Sequence, residues 1–187
     1  MPVGWPVIAR QILAFAAIAV AALVARPAAA QLSLGPVSIG SPGGPQRVEL
    51  GVGAFDITPS NRKHAGTQGD FRGEYHFGDV LVPFFSPFLG ADITTTGGSY
   101  VYGGFGFDIN FTPNWVVTPN GAVGWYQRGD GTPLGSWVEF RTGAELDYKF
   151  DDQSRLGVAV HHISNAGLTK NNPGEQSVLV VYQFPLP

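Results

Sequence analysis

Between residues 162 and 175 the chain reads His162-Ile163-Ser164-Asn165-Ala166-Gly167-Leu168-Thr169-Lys170-Asn171-Asn172-Pro173-Gly174-Glu175. An imidazole, a hydroxyl two residues on and a carboxylate across a turn are the types that nucleophilic acyl chemistry requires: a base, a hydroxyl for it to activate, and a group to orient the base. In a strand, residues two apart point to the same face, so His162 and Ser164 stand side by side if this segment is extended. His161 then faces the opposite way. A metal centre is the competing use of such histidines, but neighbouring strand residues cannot ligate one ion, and His64 and His76 lie elsewhere in the chain. Acyl chemistry of this kind needs no cofactor, and the chain has no Gly-x-Ser-x-Gly elbow of the common α/β hydrolase type.

The elements that must position these residues begin after a leader. Arg10 precedes an apolar run from Ile12 to Val24, then Pro27-Ala28-Ala29-Ala30, a small-residue end of the kind a signal peptidase cuts. The run is shorter than the roughly twenty residues a transmembrane helix needs. Cleavage after Ala30 leaves 157 residues, enough for one domain, with a net charge of −5 and no basic tract. Nucleic acid is therefore excluded as a partner. The chain has no cysteine, so disulfides do not stabilise it in an exported setting. Its 26 glycines and 12% aromatic content suit many short strands and tight turns.

Residues 31–46, rich in Gly, Pro and Ser, read as an irregular lead-in, and 47–187 as one all-β domain. Period-two alternation predicts eight strands and no helix after the leader. Val48, Leu50, Val52 and Ala54 share one parity. Phe71, Gly73, Tyr75 and Phe77 alternate with Asp70, Arg72, Glu74 and His76. Leu89, Ala91 and Ile93 mark a third strand, Val101 to Phe111 a fourth, and Trp115 to Trp125 a fifth. In the sixth, Val138, Phe140, Ala144, Leu146 and Tyr148 alternate with Glu139, Arg141, Glu145, Asp147 and Lys149. Leu156, Val158 and Val160 lead into His162 and Ser164, and an eighth strand runs from about Glu175 to Phe184.

The links between these strands read as alternately long and short, the pattern of an outer-membrane barrel with tight periplasmic turns and longer outer loops. On that parity the link carrying the motif faces outward. A soluble eight-stranded ligand-binding barrel shows the same alternation. The mixed-sign charges on one face of the sixth strand suit a narrow polar lumen, and the aromatic ends of the apolar faces suit interfacial girdles, so an eight-stranded antiparallel transmembrane β-barrel is expected. Side chains fill a lumen of eight strands, which excludes solute conduction. His162 and Ser164 continue the apolar parity. Unpaired polar groups there would cost roughly 2 to 7 kcal/mol against hydrocarbon, a placement that makes sense if the pair acts on a lipid.

His162-Ile163-Ser164-Asn165-Ala166-Gly167-Leu168 followed by Asn172-Pro173-Gly174-Glu175 resembles the signature of the PagL family, the outer-membrane lipid A 3-O-deacylases. The resemblance implies an outer-membrane enzyme acting on lipid A in the outer leaflet, with no cofactor, and permits a homodimer. It implies Ser164 as nucleophile, His162 as base and Glu175 as the acid that orients the base. Asn165, Gly167 and Asn172 match positions at or near the oxyanion hole. The family's glutamate falls one residue later, where this chain has Gln176. A one-residue deletion in the loop would make Glu175 the equivalent, and a glutamine carries no negative charge. A non-catalytic small barrel, serving as adhesin or membrane anchor, is the alternative from another functional class.

Overall fold

Alternation decides the architecture. The structure, a computed structural model, describes residues 31–40, 44–58, 66–78 and 84–187, and the expected leader (1–30) lies outside them. Eight long strands form one antiparallel sheet: β3 (Arg47–Phe55), β4 (Gln68–His76), β5 (Ser86–Thr94), β6 (Ser99–Gly106), β8 (Trp115–Gln127), β9 (Val138–Lys149), β10 (Arg155–Ser164) and β11 (Glu175–Pro185). Each pairs with the next, and β11 returns to β3, so the sheet closes and leaves no long edge unpaired.

Three short strands lie outside the eight. β1 (Leu32–Leu34) and β2 (Val37–Ile39) form a hairpin, and β2 pairs with β7 (Ile109–Asn110), which in turn joins β8. The lead-in expected to be irregular therefore contains a strand pair. Leu32 and Leu34 on one side and Val37 and Ile39 on the other flank a turn at Gly35, whose positive φ of 64° glycine supplies without a Cβ penalty. The alternation of links is also less regular than the sequence suggests. The loop after β5 spans only 95–98, while 77–85 and 107–114 on the opposite end are longer, the latter because it holds β7.

The closed sheet is polar inside and apolar outside. Arg47, Glu49, Asp70, Arg72, Glu74, Asp92, Arg141, Glu145, Asp147 and Arg155 are all buried, whereas Leu50, Val52, Phe71, Leu89, Ile93, Val101, Phe105, Trp125, Leu156, Val158 and Val160 are exposed. This inversion has an electrostatic logic. Ionised groups shut inside a narrow lumen must find partners, and arginines with planar, forked donors supply them. Arg141 donates to Glu74 at 2.6 Å, Arg72 grips Asp92 through two bonds of 2.9 and 3.2 Å, and Arg155 grips Asp108 through bonds of 3.2 and 2.6 Å. The single Tyr102 hydroxyl proton is shared between Glu74 at 2.7 Å and Asp92 at 2.9 Å, and its ring lies 4.3 Å beneath the Arg141 guanidinium. Toward the end that carries the loop 165–174, Phe55, Tyr100, Tyr126, Leu134 and Ile163 form a buried cluster across the lumen, with buried Asp56, Thr132 and Glu139 beside it.

Candidate active site

Strand β10 carries the motif, and its burial alternates without a break from Arg155 to Ile163. Arg155, Gly157, Ala159, His161 and Ile163 are buried; Leu156, Val158, Val160 and His162 are exposed, with Ser164 partly so. His162 and Ser164 therefore stand on the outer wall, at the end of β10 nearest the loop 165–174. His161 is 1% exposed and meets an Arg72 nitrogen through Nδ1 at 3.1 Å. Because a guanidinium only donates, that nitrogen is the acceptor and His161 is a lumen residue with its own partner.

The hairpin register fixes what lies beside the base. His162 pairs with Gln176 across β10 and β11, and Ile163 pairs with Glu175. The contact expected between His162 and Glu175 is consequently not formed. Glu175 points inward, 1% exposed, and accepts the Asp56 backbone N–H at 3.0 Å. The Gln176 amide instead meets His162 Nδ1 at 3.1 Å and is bonded on its other side by the Thr58 hydroxyl. A one-residue step along a strand reverses the face, so the carboxylate and the imidazole cannot share one.

Gly174 completes the outer setting. Its φ is +63°, and a Cβ there would fall 2.6 Å from His162 Cε1 and 3.3 Å from Nε2, so the imidazole rests on the glycine backbone. Ser164 makes no side-chain hydrogen bond among the described residues, so the structure brings it and His162 to one face of β10 without a bond between them.

The loop after Ser164 is tied by Asn165. Its side chain is fully buried, with Nδ2 3.0 Å from Leu134 O, 2.9 Å from Asn171 O and 3.1 Å from Thr169 Oγ1 for its two hydrogens, while its Oδ1 accepts the Gly167 N–H at 3.0 Å. The Asn165 N–H in turn donates to Asn172 Oδ1 at 3.0 Å. Ala166 and Gly167 both have positive φ, 51° and 81°, and Leu168 N–H closes the turn on Asn165 O at 3.0 Å. The Asn165 amide, the Asn165 N–H and the Gly167 N–H, expected near an oxyanion, are thus engaged inside the loop.

Gln176, weighed in the sequence as the position of the family's glutamate and set aside for Glu175, is the residue that the structure puts beside His162; sequence reasoning missed Thr58 and Gly174 as neighbours of that pair. The parity of Glu175, Ser177 and Gln183, polar residues that share the buried face of β11, is the signal that could have placed Glu175 inside and went unused. One group of metal-ligand types exists among the described residues: Glu49, Glu74 and His76, with donor atoms within 4.8 Å of one another. It lies in the lumen, where His76 sits 3.4 Å from Glu49 and 3.3 Å from Glu74, and not on the wall with Ser164.

A closed eight-stranded antiparallel sheet with a charged interior and an apolar exterior defines a small outer-membrane β-barrel. The family model for lipid A 3-O-deacylase (PagL) matches residues 69–185, and the chain belongs to that family. Among solved structures, one described as the crystal structure of the outer membrane enzyme PagL aligns with a TM-score of 0.60 and 18% identity, covering 75% of this chain and 99% of that one. A designed transmembrane β-barrel aligns with a TM-score of 0.56 and 14% identity, covering 79% of this chain and 99% of that one. No curated protein matches the sequence. The protein resides in the outer membrane.

Proposed function

We propose that the protein hydrolyses the ester-linked 3-hydroxyacyl chain at position 3 of lipid A, with Ser164 as nucleophile and His162 as general base. The observation that carries this reading is the position of both residues on the outward face of β10, continuing the row of Leu156, Val158 and Val160. A barrel wall in this orientation meets lipid, and a reactive pair at its loop-end rim lies at the depth of an outer-leaflet headgroup and its first ester bonds. Membership of the deacylase family supports the same substrate.

The reaction runs in two halves. Neutral His162 takes the Ser164 proton as Oγ attacks the ester carbonyl, and the tetrahedral oxyanion collapses to an acyl-serine. The 3-hydroxyl of the sugar leaves with the proton returned by the imidazolium. Water, activated by the same imidazole, then releases a 3-hydroxy fatty acid and restores the serine. Asn165, Gly167 and Asn172 serve this chemistry by fixing the loop beside the nucleophile.

Mass spectrometry of lipid A from cells expressing wild type or Ser164→Ala tests the assignment. Wild type is expected to remove one ester-linked 3-hydroxyacyl chain and the variant none. Identical lipid A in both would reject the enzyme and leave a non-catalytic barrel, acting as adhesin or membrane anchor.

A further inference from the structure

The deacylase reading leaves the orientation of the base unexplained, because the carboxylate that would provide it points into the lumen. We infer that Gln176 is the positioning residue for His162: its amide oxygen accepts the Nδ1–H, with the Thr58 hydroxyl holding the amide from behind. This inference rests on the deacylase reading for its meaning but has a readout of its own.

Three observations converge on it. The register sets His162 directly opposite Gln176 on the outer face. The amide is 3.1 Å from Nδ1. Thr58 is bonded to the other end of the same amide, and the Ile57 N–H donates to Gln176 O at 2.9 Å, so the segment after β3 is anchored to this residue by both side chain and backbone. Oxygen and nitrogen of an amide exchange places by a half-turn, so chemistry decides which one faces the ring. A base that must take a proton at Nε2 has its own proton on Nδ1, and only Oε1 can accept that proton. In that setting Gln176 Nε2 donates to Thr58 Oγ1, which a hydroxyl accepts as readily as it donates.

An amide in this place orients the ring but brings no charge to the imidazolium formed during attack. Cysteine proteases with a Cys-His-Asn arrangement show that an amide can suffice for orientation. A carboxylate at the same position would add electrostatic stabilisation of the imidazolium, and the base would then need a higher pH to be neutral. The protein therefore works as a serine hydrolase whose base is held by hydrogen bonding alone.

The test compares Gln176→Ala, Gln176→Glu, Thr58→Val, Thr58→Ser and Glu175→Gln in detergent micelles. Lipid A bearing the 3-linked chain is the substrate, and kcat/KM is read across pH. Nitrogen-15 NMR of labelled histidine, with the His162 signals assigned by difference from His162→Asn, reports which ring nitrogen carries the proton. Expected are a fall of about 10- to 100-fold in kcat for Gln176→Ala with loss of the Nδ1–H tautomer, and a smaller fall for Thr58→Val that Thr58→Ser restores. Gln176→Glu moves the acid limb of the profile upward by about one pH unit, and Glu175→Gln leaves the profile where it is. An active wild type whose tautomer and rate are unmoved by Gln176→Ala overturns the inference, as does a profile that Glu175→Gln shifts and Gln176→Glu does not. If the wild type shows the Nδ1–H tautomer, lost in Gln176→Ala, yet cleaves no lipid A, the pairing stands and the deacylase reading falls.

Discussion

Two pairs of neighbouring residues, His161 with His162 and Glu175 with Gln176, divide the molecule between them. On the inner side, His161 meets Arg72 and Glu175 holds the Asp56 N–H, both sealed from solvent. On the outer side, one residue along each strand, His162 meets Gln176 on the wall. Histidine inside the lumen satisfies a guanidinium. The same residue type outside has a half-open environment, a hydroxyl two positions on, and a glycine to rest upon. The difference teaches that side-chain type assigns nothing here until strand parity has assigned a face.

Exchanging the imidazoles breaks that comparison most sharply. His162→Asn is expected to lower deacylation by about 10³-fold or more, in line with loss of a base from a catalytic unit, while leaving the barrel as resistant to unfolding as wild type. His161→Asn is expected to do the reverse: full turnover, and a loss of roughly 1 to 3 kcal/mol of stability as the smaller side chain leaves space in the lumen and a less well placed acceptor for Arg72. Initial rates on lipid A and urea unfolding in detergent read the two properties separately. Loss of activity in His161→Asn with none in His162→Asn would move the chemistry into the lumen.

Much of this division was legible in the chain itself. The alternation in β9 and β10 is so regular that inward charges and outward apolar residues read off directly, and His162 and Ser164 fell on the correct side. β11 was harder, because its inner face carries Leu179 and Val181, which pack on Ala159 in a small apolar patch within the lumen. Apolar residues on both faces erase the period-two signal in the middle of that strand, and only its polar ends, Glu175 with Ser177 and Gln183, keep it. The hairpin β1–β2 was hidden for another reason: strands of three residues are too short to display a period against a Gly- and Pro-rich background. Thr58 could not be found from the sequence, since its place beside Gln176 depends on the β3–β11 closure, a contact 118 residues apart along the chain.

The lumen sharpens the contrast by what it demands of charge. Arg141 lies under 2% exposed, bonded to Glu74 at 2.6 Å and stacked on Tyr102. Arg141→Met is expected to destabilise the barrel by about 3 to 5 kcal/mol, because Glu74 then keeps a charge with one fewer partner in a closed interior. The double variant Arg141→Met/Glu74→Gln should recover part of that loss, and urea titrations of the four proteins close the cycle. Deacylation by the folded fraction should be unchanged in all of them. A purely additive cycle would mean that the two side chains do not stabilise one another, and the account of the lumen as a paired network would fail.

Each histidine also lies over a glycine, which allows the finest cut. Gly174 supports His162 from the outer loop, and Gly143, on β9 opposite His161, supports the inner ring: a Cβ there would fall 2.3 Å from His161 Cδ2 and 2.3 Å from Val160 O. The two additions meet different resistance. At Gly143 the new methyl strikes the backbone of the neighbouring strand, which cannot yield without opening the ladder, so Gly143→Ala is expected to weaken folding by about 1 to 3 kcal/mol. At Gly174 it strikes an imidazole on the outer wall, which can turn outward at the cost of its bond to Gln176, and the positive φ adds a modest strain of its own. Gly174→Ala should therefore fold nearly as well as wild type but turn over about 10- to 100-fold more slowly, because a base displaced by an ångström no longer meets the serine. Unfolding midpoints set beside initial rates for the two alanine variants decide it. Wild-type turnover in Gly174→Ala would mean that the ring position over the glycine is not the one used in the reaction, and the working geometry of His162 would have to be sought in another rotamer.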